Sequence, residues 1–250
     1  MDADDRFQVY TLPEFPDYEA RAGHLASQWA DFVYHEVDSK DYYPTMVQAY
    51  KDLHFFLCDE NDEVVAHAQA MGIRWDGTKD NLPLGWSDAI MRCAKNSLEG
   101  DTVNTLCGVS VTVAPNRTGE GIGRKTIETM KQLGIEAGYE RMIVPVRPSE
   151  KSRYPLIKMQ DYVTWQNDDG YFFDKWLRIH QRAGAKMLGI AAHSMRVLGT
   201  VNEWETWTGR HFPATGMYIV DGALNPIIID HENDLGTYIE ANVWMEHPMP

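Results

Sequence analysis

The run Val109-Ser-Val-Thr-Val-Ala-Pro-Asn-Arg-Thr-Gly-Glu-Gly-Ile-Gly-Arg124 constrains this chain more than any other. Leu106–Val113 is rich in Val and alternates large and small residues, which reads as a buried strand. It passes into Gly119-Glu120-Gly121-Ile122-Gly123, and a helix follows over Gly123–Ala137 with apolar positions at Ile127, Met130 and Leu133. Gly138 stands where a helix C-terminal glycine would, and Met142–Val146 is the next strand. Strand, glycine turn, helix, strand implies a parallel pair joined by a crossover helix. Glycines let the backbone turn tightly and approach a ligand with no Cβ in the way. The free N–H groups at the helix start, together with the helix dipole, then favour an anion, typically a phosphate.

Several glycine loops do this. A P-loop needs Gly-Lys-Ser/Thr, whereas Gly123 is followed by Arg124 and Lys125. A dinucleotide fingerprint spaces its glycines G-x-G-x-x-G, whereas Gly119, Gly121 and Gly123 alternate. The segment resembles the acyl-CoA-binding motif of the GNAT acyltransferase superfamily, in which a strand ending V-x-P is followed by Q/R-x-x-G-x-G/A. Val113-Ala114-Pro115 supplies the first part and Thr118-Gly119-Glu120-Gly121-Ile122-Gly123 the second. The usual Gln/Arg position holds Thr118, with Arg117 one residue early, so one side-chain contact departs from the pattern. The resemblance implies that Val111, Thr112 and Val113 receive the pantetheine arm and polarise the thioester carbonyl. It implies that the amides from Thr118 through Gly119, Glu120, Gly121, Ile122 and Gly123 to Arg124 hold the pyrophosphate. It also implies a helix ending Y-x-x-x-G; Ile179-His180-Gln181-Arg182-Ala183-Gly184 occupies that place, with His180 where the family's thiolate-protonating Tyr stands. Histidine can do that work, or simply be a buried hydrogen-bonding residue.

The implied fold is α/β (α+β): a mixed, mostly antiparallel twisted sheet flanked by helices, one domain over 1–250, with insertions near 75–103 and 147–171. The remaining sequence fits that order. Residues 7–11 suit a first strand, Tyr18 to about Val37 an amphipathic helix, and Pro44–Leu53 a second. His54–Cys58 and Val64–Met71 form a hairpin around Asp59-Glu60-Asn61-Asp62, and a helix lies near Ser87–Ser97. An irregular stretch from 147 to 171 precedes a helix at Phe173–Ala183, and strand-like pieces follow at Met217–Val220, Ile227–Ile229 and Tyr238–Met245.

The implied activity is transfer of an acyl group, acetyl first, from acyl-CoA to the amine of a small molecule. An O-acyltransferase or a decarboxylase on the same scaffold, and a non-catalytic acyl-CoA-binding protein, stay open. Some members place a Glu on the strand before the loop as general base; Cys107 stands there, and a thiol at that position reads as a small buried residue. Glu240, Asp169 and Asp221 are other carboxylates to consider. Arg147, Lys151 and Arg153 follow the second strand and suit an acceptor carboxylate, the CoA 3'-phosphate, or plain solvent. Tyr154, Tyr162, Trp165 and Tyr171 line a pocket or serve packing. Tyr238, Glu240, Asn242 and Trp244 fall on one face of a strand, either a pocket wall or a solvated edge.

Composition sets limits. A net charge of -14 repels phosphate backbones, so no nucleic-acid partner is expected, while a cationic acceptor is attracted. Three scattered cysteines suit neither a disulfide framework nor a zinc site, and no metal is expected. No apolar run is long enough for a membrane span and the N-terminus lacks a leader's apolar region, so the cytoplasm is the expected compartment. A homodimer is compatible with the sequence. No HExxH or G-x-S-x-G pattern supports hydrolysis.

Overall fold

A computed structural model describes residues 6–26 and 29–249. The helices and strands run in the order β1 (Gln8–Thr11), α1 (Tyr18–Ala26), α2 (Tyr43–Ala49), β2 (His54–Cys58), β3 (Val64–Ile73), α3 (Trp86–Glu99), β4 (Thr105–Val113), α4 (Ile122–Glu136) and β5 (Arg141–Val146). They continue with α5 (Met159–Tyr162), α6 (Lys175–Arg182), β6 (Lys186–Gly199), α7 (Val201–Thr208), β7 (Gly216–Tyr218), β8 (Ile227–Asp230) and β9 (Leu235–His247). One sheet runs β1-β2-β3-β4-β5-β9-β8-β7, with β6 pairing the other edge of β9. Every pairing is antiparallel except β4 with β5, which the α4 crossover makes parallel. The fold is therefore a mixed, mostly antiparallel α/β sheet flanked by helices.

Alternation along the strands assigns the two faces. Val111 and Val113 of β4 and Ala66 and Ala68 of β3 pack with Ile122, Ile127 and Met130 of α4 and with Trp176 and Ile179 of α6. Each large apolar side chain buried there contributes about 1.5–3 kcal/mol. On the opposite face, Met71, Cys107 and Val109 pack with Met46 of α2 and Ala89, Ile90 and Cys93 of α3, while Phe56 and Cys58 pack under Leu25 of α1. The glycine loop and α4 thus serve one face, and α1, α2 and α3 cover the other.

Several boundaries differ from the sequence reading. Of the helix expected from Tyr18 to Val37, Tyr18–Ala26 is helical and Asp31–His35 forms a 3-10 turn, while 27–28 of that expectation lie outside the described residues. That turn buries Phe32 against Trp204 and Tyr238, contacts from the far end of the chain that no local periodicity encodes. Strand β6 and helix α7 were not anticipated, because Gly189, the Ala191–Ser194 bulge and Gly199 break any alternation. The stretch from 147 to 171 is ordered by a 3-10 turn at Lys151–Arg153, by α5, and by a bridge between Gln166 and Phe172.

Candidate active site

The parallel ladder between β4 and β5 is short. Thr105, Leu106 and Cys107 pair with Arg141, Met142 and Ile143, and the ladder stops there. On its other edge β4 stays paired with β3 as far as Val113. The two parallel strands therefore part into a wedge, and burial falls from complete over Thr105–Val109 to partial over Ser110–Val113. An interior strand edge with unpaired peptide groups is a template for an extended ligand. The wedge begins at a bulge: Gln69 opposes Ser110 but Ala70 opposes Gly108, leaving Val109 as the extra residue. The Val109 carbonyl accepts a hydrogen bond from Trp86 Nε1 at 2.8 Å, so the head of α3 seals the bulge.

At the open end of β4 the glycine loop turns into α4. Gly119 and Gly121 take φ of +95° and +83°, and a Cβ at either would meet nothing within 4 Å. The glycines are there for backbone conformation, and the space above them is clear. Gly121 is the N-cap with no side-chain cap, and the first helical bond is Lys125 N–H to Gly121 C=O. The amides of Ile122, Gly123 and Arg124 thus have no helical partner and present the positive end of the helix. The side chains of the loop hold the loop itself. Arg117 bonds Asp59 at 2.7 Å and Glu120 at 2.8 Å, Thr118 Oγ1 donates to Pro115 C=O, and Arg124 Nε bonds Glu128 at 2.7 Å. What the segment offers a ligand is backbone; Thr118 and Glu120 are committed elsewhere through their side chains.

Across the wedge, β5 ends at Val146 and Arg147 follows. Arg147 Nε lies 3.0 and 2.9 Å from the two oxygens of Glu240, and its Nη2 donates to Gly222 C=O at 2.6 Å. Glu240, fully buried, also accepts from Tyr238 at 2.8 Å and Asn242 at 3.0 Å. Tyr238, Glu240, Asn242 and Trp244 share the face covered by α2, α3 and the 3-10 turn, so the alternation expected along that strand is present and forms an inner wall. The Arg147 guanidinium sits 5.5 Å from the Trp29 ring, and Trp29 Nε1 donates to Thr112 at 3.3 Å. Trp29 therefore ties the end of β5 to the end of β4 over the wedge.

Other expected site residues lie apart from this place. His180 faces the core beside His247 at 2.8 Å and edge-on to Trp176, with no more than a trace of exposure. His247 pairs with Met142, which is ladder partner to Leu106, so the two imidazoles sit at the closed end of the wedge. Burial, then the neighbouring imidazole, pushes His180 well below the usual histidine value. His180 is thus a neutral ring packed in the core, bonded to His247 and not turned into the wedge. The acid role expected of His180 finds no support in this placement, and His180→Gln is expected to leave the alkaline limb of kcat unchanged. Tyr154 and Tyr162 belong to the α6 face, in an aromatic cluster with Trp165 and Phe173; Tyr162 is buried and donates to Asp174 at 2.9 Å. They pack on the face of β9 opposite the one that carries Glu240. Lys151 is buried with its ammonium on the carbonyls of Tyr154 and Leu224, and burial lowers it to about 8. Arg153 pairs with Glu150 on the surface and Asp169 with Arg182, while Asp221 is exposed. Cys107 is fully buried and its thiol is pushed up by that burial, which fits a small packing residue. Among the described residues no group of three or more His, Cys, Asp or Glu could hold a metal ion, and no helix is long and apolar enough to cross a membrane.

The buried imidazoles have a consequence for stability. His54, His67 and His247 are each lowered by burial to about 4, against 6.5 when exposed. As pH falls, the unfolded chain takes up protons first, so stability is lost from about 6.5 downward toward 4. The carboxylates held low by hydrogen bonds, such as Glu14 and Asp59, are lowered from 4.5 and 3.8 and leave the range from pH 7 to 5 to the imidazoles. The thermal midpoint is expected to drop steadily between pH 7 and pH 5; a flat midpoint would contradict the burial of these rings.

Sequence reasoning missed His67, Gln69, Ser110, Trp29 and Trp86. A usable signal existed for the first two: in Val64-Val-Ala-His-Ala-Gln-Ala70 the polar residues fall two apart on a run otherwise apolar.

The model of the Acetyltransferase (GNAT) family matches residues 24–162, and the chain belongs to that family. It is similar to the arginine N-acetyltransferase avaD of Aspergillus versicolor, 27% identical over 98% of this chain and 91% of that one. Among solved structures it is similar to the loading GNATL domain of CurA from Lyngbya majuscula, with TM-score 0.59, 16% identity and 98% of both chains covered. The GphF GNAT-like decarboxylase in complex with isobutyryl-CoA matches equally, with TM-score 0.59 and 16% identity over 98% of this chain and 100% of that one. At these identities the two structures speak for the fold alone. Family and relative together make this chain an acyltransferase of the acetyltransferase kind.

Proposed function

We propose that the chain transfers an acyl group, acetyl first, from CoA to the amine of a small molecule. One observation carries this reading: the β4 edge left open beyond Cys107 runs in line into the uncapped amides at the head of α4. An extended thioester arm would pair with the edge over Val111–Val113, and its pyrophosphate would rest on the amides from Gly119 to Arg124. The thioester then falls near the bulge, where peptide N–H groups turned toward the wedge would stabilise the developing oxyanion. The acceptor would enter from the opposite face, under Trp29. Arg147, half-buried beside Glu240, would receive an acceptor carboxylate, since Glu240 and Gly222 occupy its Nε and Nη2 and leave Nη1. The relative's substrate, arginine, is an amine of this type, and a cationic acceptor also suits the net charge of -14. In the reaction the neutral amine attacks the thioester carbonyl directly, the C–S bond breaks, and CoA leaves as the thiol.

The test is release of free CoA thiol from acetyl-CoA with a panel of amines headed by arginine, and with matched alcohols. Release with amines and not alcohols is the expected result. Release with alcohols alone, or loss of the acyl carboxyl from a malonyl thioester with no acceptor, would replace this reading by one of the other reactions the scaffold hosts.

A further inference from the structure

An amine arriving at neutral pH carries a proton that must leave before its lone pair can attack. Cys107, where some family members have a carboxylate, is fully buried and its thiol is pushed up. Glu240 is held by Arg147, Tyr238 and Asn242, and the buried Glu36 by the Asp38 and Ser39 amides and the Ser39 and Ser87 hydroxyls. None of these groups is free to take the proton.

Two cross-strand rows lie on the acceptor face. In one, His54, Gln69 and Ser110 stand opposite one another across β2, β3 and β4; in the next, Phe56, His67 and Thr112 do. Gln69 Oε1 accepts from both Tyr43 OH and Ser110 Oγ, which fixes it, and leaves its amide N–H groups without a partner among the described residues. His67 is half-buried and stacked on Phe56, with centroids 4.6 Å apart and planes 11° from parallel. Neither of its ring nitrogens has a hydrogen-bond partner among the described residues, and neither has any of His54, which is fully buried behind it. Ser110 and Thr112, the two hydroxyls beside His67 and Gln69, lie on the part of β4 where the wedge opens. A stacked imidazole with open nitrogens, next to hydroxyls with accepting lone pairs, is the chemistry that receives an ammonium group.

We infer that the cluster His67, Gln69, Ser110 and Thr112 receives the acceptor amine, and that His67 is the base that takes its proton. This rests on the acyl-transfer reading above. The ammonium gives one proton to His67, keeps one as the amide N–H, and gives one to the departing thiolate; the N–C bond forms as the C–S bond breaks. His54 on β2 is the titratable group that interacts with His67; α1, packed on β3, carries Tyr18, Arg21 and His24, and α2 carries Tyr43. Arg21 is paired with Asp62 and His24 Nε2 contacts the Val64 carbonyl, so no charged side chain bonds the His67 ring. Burial lowers that ring from its ordinary value, so it is neutral at pH 7.

Two variants test this: His67→Gln, and His67→Phe, which retains the stack on Phe56. With acetyl-CoA and arginine, both are expected to lose about 10²-fold in kcat/KM at pH 7, the usual reach of a general base. The loss should shrink as pH rises toward the amine's own value, and should be smaller for arginine amide, whose α-amine is less basic. Binding of acetyl-CoA by either variant should stay within about twofold, since about 0.4 kcal/mol is the most an unrelated contact should shift. Variants whose pH profiles superimpose on the parent would overturn the role of His67 while leaving acyl transfer standing. A parent enzyme that releases no thiol with any amine would overturn the transfer reading first, and this inference with it.

Discussion

Replacing Arg147 with Met lowers the unfolding free energy by about 3 kcal/mol, because Glu240 is left buried without its cation. Glu240 is fully buried and takes both oxygens to Arg147 Nε at 3.0 and 2.9 Å. Tyr238 and Asn242 also donate to it, but two neutral donors do not replace the charge of the guanidinium. The informative comparison is the double variant Arg147→Met with Glu240→Gln. The amide introduced by the second substitution keeps a carbonyl for Tyr238 and carries no charge, so most of the loss should return. Urea midpoints at unchanged slope measure it. If the single variant costs under about 1 kcal/mol, or the two substitutions simply add, the pair is not coupled as described. The same Arg147 variant should raise KM for an amino-acid acceptor more than for its amide, since the carboxylate site is gone.

Replacing Trp204 with Ala should cost about 3–5 kcal/mol, the range for emptying a large buried aromatic site. Trp204 is fully buried between Phe32, centroid 5.5 Å, and Trp207, centroid 5.3 Å. It fills the space over Gly236, where even a Cβ would come within 2.0 Å of its ring. Its indole N–H has no partner among the described residues, so the site gains from the ring's area and not from a hydrogen bond. Trp204→Phe should therefore cost well under half as much as Trp204→Ala, and an equal loss would contradict this. A functional effect should follow, because Phe32 belongs to the turn that follows Trp29, and His35 of that turn stacks on Trp207 at 4.1 Å. Loosening this anchor should raise KM for the acceptor and leave acetyl-CoA affinity alone.

The backbone geometry of the candidate site could be read from the sequence. A Val-rich strand meeting three alternate glycines has few physical solutions, and the open edge and uncapped amides are where that pattern puts them. The side-chain geometry could not. His180 occupies a sequence position that resembled an acid's, but its burial depends on His247, 67 residues away. Trp29 meets Arg147 and Thr112 only because the C-terminal strands β6 and β9, with α7, hold Asp31–His35 in place. His67 and Gln69 were visible as polar positions on one face of β3, but their meaning needed the register with β4. Tyr154 and Tyr162 pack on the α6 face, opposite Glu240, a placement the irregular chain between 147 and 171 does not encode.

The central claim, that the β4 edge and the head of α4 form one acyl-CoA site, is tested most directly by calorimetric titration with acetyl-CoA. The comparison is the Gly121→Trp variant, with NADH as the control ligand. Gly121 is exposed at φ +83°, so the substitution fills the space above the amides and strains the turn by about 1–2 kcal/mol without touching the core. Micromolar binding of acetyl-CoA by the parent, lost in the variant, is the predicted result. Absence of acetyl-CoA binding, preference for NADH, or equal affinity in the variant would contradict it.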